Sequence, residues 1–192
     1  KKIYITGKGR CNLTNASDLE TIFASVVHNG KFMYSSLYTF DNQAVMNFFT
    51  DNGLEIKTER GNRVFPQSDH SSDVIKTLLH VLKKQGVEIR FFTEVTDVLL
   101  KDGRVSGVQT CSGKKKETVH ADAVICTCGG QSYPSTGSDG SGYRLAMSCG
   151  HTIQTPTPAL VPLVTEEDYI PQLQGLSLKN VTVSIFQGRK KL

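Results

Sequence analysis

No tryptophan occurs in the chain, and no apolar run approaches the length that crosses a membrane. A dominant charge is also missing: 22 Lys and Arg face 18 Asp and Glu, a net +4 over 192 residues. So small a surplus gives no broad basic footprint for nucleic acid. Its densest point, Lys114-Lys115-Lys116, has no interleaved aromatic and lies between two β patterns, as a solvated hairpin tip does. Nothing in the composition signals disorder, and the length suffices for one good-sized core or two small ones. The histidines at 28, 70, 80, 120 and 151 make no metal-type pair, and no Ser-His-acid order anchors a hydrolase. Five cysteines, an odd number at scattered spacing with no secretory leader pattern, argue for reduced thiols and a cytoplasmic setting. Cys126 and Cys128 lack a second pair or a nearby His, so they read as core packing and not as metal ligands.

What the sequence does have is concentrated at 121–150, ADAVICTCGGQSYPSTGSDGSGYRLAMSCG. Residues 123–126 form an uninterrupted apolar run, which predicts a strand buried on both faces, as in parallel sheets. Gly129-Gly130 turns the chain, small residues continue to Gly142, and Tyr143, Leu145, Ala146 and Met147 resume at helical spacing up to Gly150. Strand, glycine turn and helix start build an anion site at a sheet's carboxyl edge, because glycine bares the backbone and the helix start offers unpaired N–H groups. A flexible connection explains the same glycines equally well. Ser138, Asp139 and Ser141 are N-cap types, so the helix start has internal candidates for its cap.

Taken in order, the chain opens with a β-like run at 3–6 and then Gly7-Lys8-Gly9-Arg10-Cys11-Asn12. Leu19, Ile22, Phe23, Val26 and Val27 share a helix face capped by Ser17 or Asp18, and Met33, Leu37 and Phe40 suggest a second short helix. Asp41 caps a third, with Ala44, Val45, Phe48 and Phe49 inward and Gly53 at its end. Strands are expected at 54–58 and 63–65. A helix follows, with Val74, Leu78, Val81 and Leu82 inward, Lys83 and Lys84 at its dipole's negative end and Gly86 as its stop. Val87, Ile89 and Phe91 alternate as a strand. Residues 95–100 and 104–110 flank Asp102-Gly103, a strong hairpin signal, and 117–120 adds a third strand after Ser112-Gly113-Lys114. Helix, parallel-type strand, antiparallel meander and parallel-type strand make an α/β domain carrying an excursion. Past Gly150, Thr155-Pro156-Thr157-Pro158 reads as a stiff crossing to a second domain with strands at 160–164 and 181–186. There is no initiator Met, the first residues read as the interior of an element, and the last strand lacks room for its partner; a piece of a longer protein is expected.

Gly7 and Gly9 beside Lys8 and Arg10 would let a backbone approach a phosphate while a guanidinium neutralises it, although surface turns share that composition. The spacing rules out a P-loop. Gly61-Asn62-Arg63-Val64-Phe65-Pro66 reads on its own as a hairpin turn.

Together and in this order, ITGKGRCNLTN at 5–15, GNRVFP at 61–66 with Ser68, Asp69, Ser72, Asp73 and Val74 after it, GGQSYPSTGSDGSGYRLA at 129–146, GHTI at 150–153, PALVPLV at 158–164 and LQGLSLKNV at 173–181 resemble a family. The sequence is similar to the BaiN-like, aminoacetone-oxidase-type flavoproteins, described as NAD(P)/FAD-dependent oxidoreductases. The resemblance implies an FAD/NAD(P)-binding Rossmann-like domain over 1–155, interrupted by a meander at about 94–120, and the start of an inserted β-rich substrate domain over 156–192. The family's GxGxxG unit would precede Lys1, and the rest of the inserted domain would follow Leu192. By the same resemblance Gly7, Gly9, Arg10, Cys11 and Asn12 line FAD, Val95 holds its adenine end through the backbone, and Cys128, Gly129 and Gly130 pass the ribose and pyrophosphate. Tyr133 is the position to test for flavin or substrate contact. Two local departures stand out: Thr127-Cys128 where the family commonly has Ala-Thr, and Ser141 where Asp is common. The implied protein is an FAD-dependent oxidoreductase acting on a small organic substrate with NAD(P)H as electron partner, with no catalytic acid or base assigned. A non-catalytic flavin- or nucleotide-binding protein and an inactive truncated product are the alternatives.

Overall fold

The computed structural model describes residues 1–158, 161, 164–178 and 180–191. It divides into two compact units, Lys1–Ile153 and Gln154–Leu192.

The first unit is organised around a small sheet and the helices that cover it. β1 (Thr14–Asn15) pairs antiparallel with β3 (Arg63–Pro66), and β3 pairs with β2 (Ile56–Glu59). Three consecutive residues of β3, Val64, Phe65 and Pro66, are buried, so the strand reads as an apolar run bounded by a turn. α4 (Asn42–Asp51) starts where the Asp41 carboxylate accepts the Ala44 N–H, and it ends before Gly53 at φ +81°. α5 (Ser71–Lys84) presents Val74 to the core and carries Lys83 and Lys84 in its last turn. Cys11, Phe49, Leu54 and Val74 form a buried cluster, with Leu13, Val45, Phe48, Ile56 and Leu78 packed around it. α2 (Leu19–Ala24) is capped by Asp18, and α3 (Tyr34–Thr39) follows a short 3-10 turn; Phe23, Tyr34 and Tyr38 stack between them. Val27 lies past the end of α2 and is exposed.

The meander forms as the Asp-Gly signal predicts. β4 (Glu94–Lys101), β5 (Arg104–Ser112) and β6 (Lys115–His120) pair antiparallel in sequence order. Asp102 and Gly103 both take positive φ, as a two-residue hairpin turn requires. α6 (Ser141–Ser148) packs beside β4 and buries Leu145. Within β5, Gly107 stands opposite Leu99 and His120 at φ +149°. A Cβ there would run into the Val119 carbonyl oxygen and come within 2.9 Å of His120 Cα. Gly107→Ala is therefore expected to cost about 2–3 kcal/mol in a urea titration, against about 1 kcal/mol for Gly103→Ala, whose Cβ meets nothing. Equal costs at the two positions would contradict the ladder at Gly107.

The structure corrects several expectations. The run at 3–6 is not a strand: α1 (Lys2–Ile5) makes one helical turn and passes into a tight turn at Thr6–Gly9. Residues 87–91 and 123–126 carry strand-like apolar patterns, yet neither joins a ladder among the described residues. A strand exists through its partner's hydrogen bonds, and without one the pattern leaves Phe91 and Ile125 exposed. Cys126 and Cys128 are exposed for the same reason and do not pack in a core. In the second unit only Phe186 of the 181–186 run pairs, within β7 (Phe186–Gln187), which pairs with β8 (Lys190–Lys191) across Gly188. The strand expected at 160–164 rests on residues 160, 162 and 163, which lie outside the described residues. Among the described residues no helix is long and apolar enough to cross a membrane.

Candidate functional site

The segment after α1 owes its shape to backbone that few residues tolerate. Gly7, Lys8, Gly9 and Cys11 all take positive φ. The turn is closed by Arg10 N–H to Gly7 O at 3.3 Å and Cys11 N–H to Thr6 O at 2.9 Å. A Cβ on Gly7 would lie 2.8 Å from Asn12 N and 3.0 Å from Phe65 Cε1, so this position requires glycine. Asn12 Nδ2 donates to the carbonyls of Thr14 and Val64, both at 2.9 Å, and fastens the segment to β3. Cys11 is buried in the core cluster, and that burial pushes its thiol up.

Arg10 is held from three sides. Its Nη1 donates to Glu59 Oε1 at 2.8 Å and to Asp69 Oδ1 at 3.1 Å, and its guanidinium carbon stands 3.9 Å from the centre of the Phe65 ring. Lys57 binds the other oxygen of Asp69. The hydrogen bond from Arg10 is the main cause holding the Glu59 carboxyl below its ordinary range, and the bond from Lys57 does the same for Asp69. Carboxyls depressed in the folded state contribute stability that is complete above their unfolded values, about pH 4, and is lost as pH falls through the folded ones. The stability gap between the protein and Arg10→Ala is therefore expected to narrow as pH drops from 7 to 3, measured by urea midpoints. A constant gap would mean that the two carboxylates do not sense the guanidinium.

The glycine loop at 129–142 is tied to α1. Lys2 Nζ donates to Ser138 Oγ at 2.6 Å and reaches Ser132 Oγ at 3.4 Å. Ser138 is buried and forms a bridge with Tyr133, which is itself half exposed ahead of the Pro134–Thr136 turn. Gly140 N–H donates to Gly130 O at 3.1 Å, and at the start of α6, whose N-cap residue Gly140 has no side chain to cap it, Asp139 Oδ1 accepts the Ser141 N–H at 2.9 Å. A Cβ on Gly142 would touch Cys128 Cβ at 3.3 Å and Cys126 Sγ at 3.4 Å, so the helix start is seated on the turn before it. Among the described residues the N–H groups of 126–130 make no hydrogen bond within the chain, and Cys128 and Gly129 are exposed. Val95 is the second residue of the β4 ladder, opposite Thr110, at a bulge. It borders an open depression of about 310 Å³ shared with Arg90, Val108 and Val119.

The structure thus ties α1, which leads into the Gly7–Asn12 segment, to Ser132 and Ser138 of the glycine loop through Lys2. The Cys11 side chain is buried, the Asn12 amide donates to two backbone carbonyls, and Arg10 is engaged by two carboxylates. Among the described residues, donors without a partner in the chain include the backbone N–H groups at the glycine turn and the exposed Lys8 ammonium. Glu59, Lys57 and Lys2 carry no local signal in the sequence; Asp69 sits within a motif stretch.

The chain matches the HI0933-like protein Rossmann domain over residues 1–190 and belongs to that family, in agreement with the BaiN-like flavoprotein resemblance and the α/β class. Over its full length it is 37% identical to the 3-dehydro-bile acid delta(4,6)-reductase of Clostridium scindens, of which it covers 45%. It is 25% identical, over 92% of its length, to the ribosomal RNA dihydrouridine synthase of Escherichia coli, of which it covers 42%. The chain therefore spans less than half the length of these curated relatives.

Proposed function

We propose that this chain forms part of an FAD-dependent oxidoreductase that acts on a small organic substrate and takes its electrons from NAD(P)H. The observation that carries the reading is the family match across 1–190, on a chain whose α1, leading into the first glycine segment, is tied by Lys2 to the second. The residues present suit FAD at the level of the backbone. The unpartnered N–H groups at Cys128, Gly129 and Gly130 would meet the ribose and pyrophosphate oxygens, and the positive-φ turn at Gly7 and Gly9 would bring a second stretch of backbone close. Val95 would hold the adenine end by its backbone. Arg10, Cys11 and Asn12 would keep the first turn in shape through the contacts described above, and Tyr133 offers an exposed ring for flavin or substrate. FAD supplies the hydride chemistry when bound, and the protein supplies orientation and electrostatics. The names of both relatives describe adding hydrogen to an unsaturated substrate. That favours reduction of an unsaturated ring over amine oxidation.

Anaerobic addition of NADH or NADPH to the flavin-loaded protein tests the reading. Bleaching of the flavin band that an unsaturated substrate restores is expected. A flavin that stays oxidised with either nucleotide would leave a non-catalytic flavin-binding protein.

A further inference from the structure

We infer that Cys126 and Cys128 form a vicinal dithiol that closes to an intramolecular disulfide by exchange with small-molecule disulfides. In an extended backbone residues two apart share a face, and here the Sγ atoms lie 3.7 Å apart with both residues exposed. Closing the bond needs a further approach of more than about 1.5 Å. The segment can supply it, because the N–H groups of 126–130 make no hydrogen bond within the chain among the described residues. The other cysteines are placed differently. Cys11 is buried, the Cys111 thiol donates to Gly113 O at 3.3 Å, and Cys149 is half-buried.

Partial desolvation, and then the neighbouring Cys126, push the Cys128 thiol up, which suits Cys128 to the second, resolving step. The Cys126 thiolate attacks one sulfur of an external disulfide, forms a mixed disulfide and releases one thiolate. Cys128 then gives up its proton and attacks Cys126 Sγ, and the second external thiol departs. Two protein thiols are oxidised, and one small disulfide is reduced to two thiols. A short exposed ring of this kind is readily reduced again, so the bond is reversible. Gly142 packs on both cysteines, so the bond forms against the start of α6, beside the turn proposed for FAD. The inference does not depend on flavin binding.

The test incubates the folded protein with glutathione disulfide, quenches it with acid and reads intact mass and peptide maps. The expected product has lost two hydrogens, keeps no glutathione and yields a peptide with Cys126 linked to Cys128, while Cys11, Cys111 and Cys149 remain alkylatable. Cys128→Ser should stop at the mixed disulfide and retain one glutathione on Cys126; dithiothreitol should restore all thiols in both. Wild-type protein that keeps a glutathione adduct, links another pair or loses no thiol would overturn the inference. So would a Cys128→Ser variant with no adduct on Cys126.

Discussion

Phe65→Ala is expected to lower the unfolding free energy by about 3–5 kcal/mol, the range for emptying a buried aromatic site. Phe65 is 2% exposed, between buried Val64 and Pro66 on the central strand of the β1–β3–β2 sheet. One side of its ring approaches Gly7, and the Arg10 guanidinium lies over its face. The substitution therefore opens a cavity and removes the surface on which Arg10 rests. Phe65→Leu restores most of the volume without the ring, and it should cost clearly less. Urea unfolding of the three proteins at pH 7 measures both effects. A loss near 1 kcal/mol for Phe65→Ala would mean that the sheet does not organise this unit.

Gly129→Val is expected to leave the protein folded and deprive it of flavin. Gly129 lies at φ +77°, and an added Cβ would sit 3.3 Å from Ser138 Oγ. A β-branched residue resists that conformation by about 1–3 kcal/mol. If the turn relaxes in the free protein and must be restored for FAD, the cost appears as roughly 5- to 150-fold weaker binding. The branched side chain would also screen the neighbouring N–H groups, which moves the result toward the upper end. Gly61→Val provides the control: Gly61 also has positive φ but lies in the β2–β3 hairpin turn with nothing near its Cβ. Flavin titration that finds equal affinity for Gly129→Val and the parent would remove the turn from the cofactor site.

Local chemistry made much of the fold readable. Asp41 ahead of an apolar 3.6 period, Gly53 and Gly86 as stops, and Asp102-Gly103 between alternating runs each act within a few residues, and each element stands where the pattern puts it. The runs at 87–91 and 123–126 show the limit of such patterns. Apolar periodicity states which residues favour burial, but a strand also needs a neighbour, and the sequence around Ile125 does not name one. The surroundings of Arg10 were out of reach for a different reason. Its partners Glu59 and Asp69 lie 49 and 59 residues away, so a cation that looked free beside two glycines is already neutralised. The glycines themselves were legible because positive φ is a local demand, and Gly7 and Gly129 both meet it. The exposed Cys126 and Cys128 followed the fate of the strand they were expected to join.

The most direct measurement is a backbone amide NMR titration with FAD at up to millimolar concentration, which reports contacts residue by residue even when affinity is low. The expected result is a set of concerted shifts at Gly7, Gly9 and Arg10, at Cys128, Gly129 and Gly130, and at Val95, all saturating with one dissociation constant, while α4 and the Lys114 turn stay unchanged. Shifts confined to the meander or to the second unit, or none at these glycines at saturation, would contradict an FAD site built on the two turns.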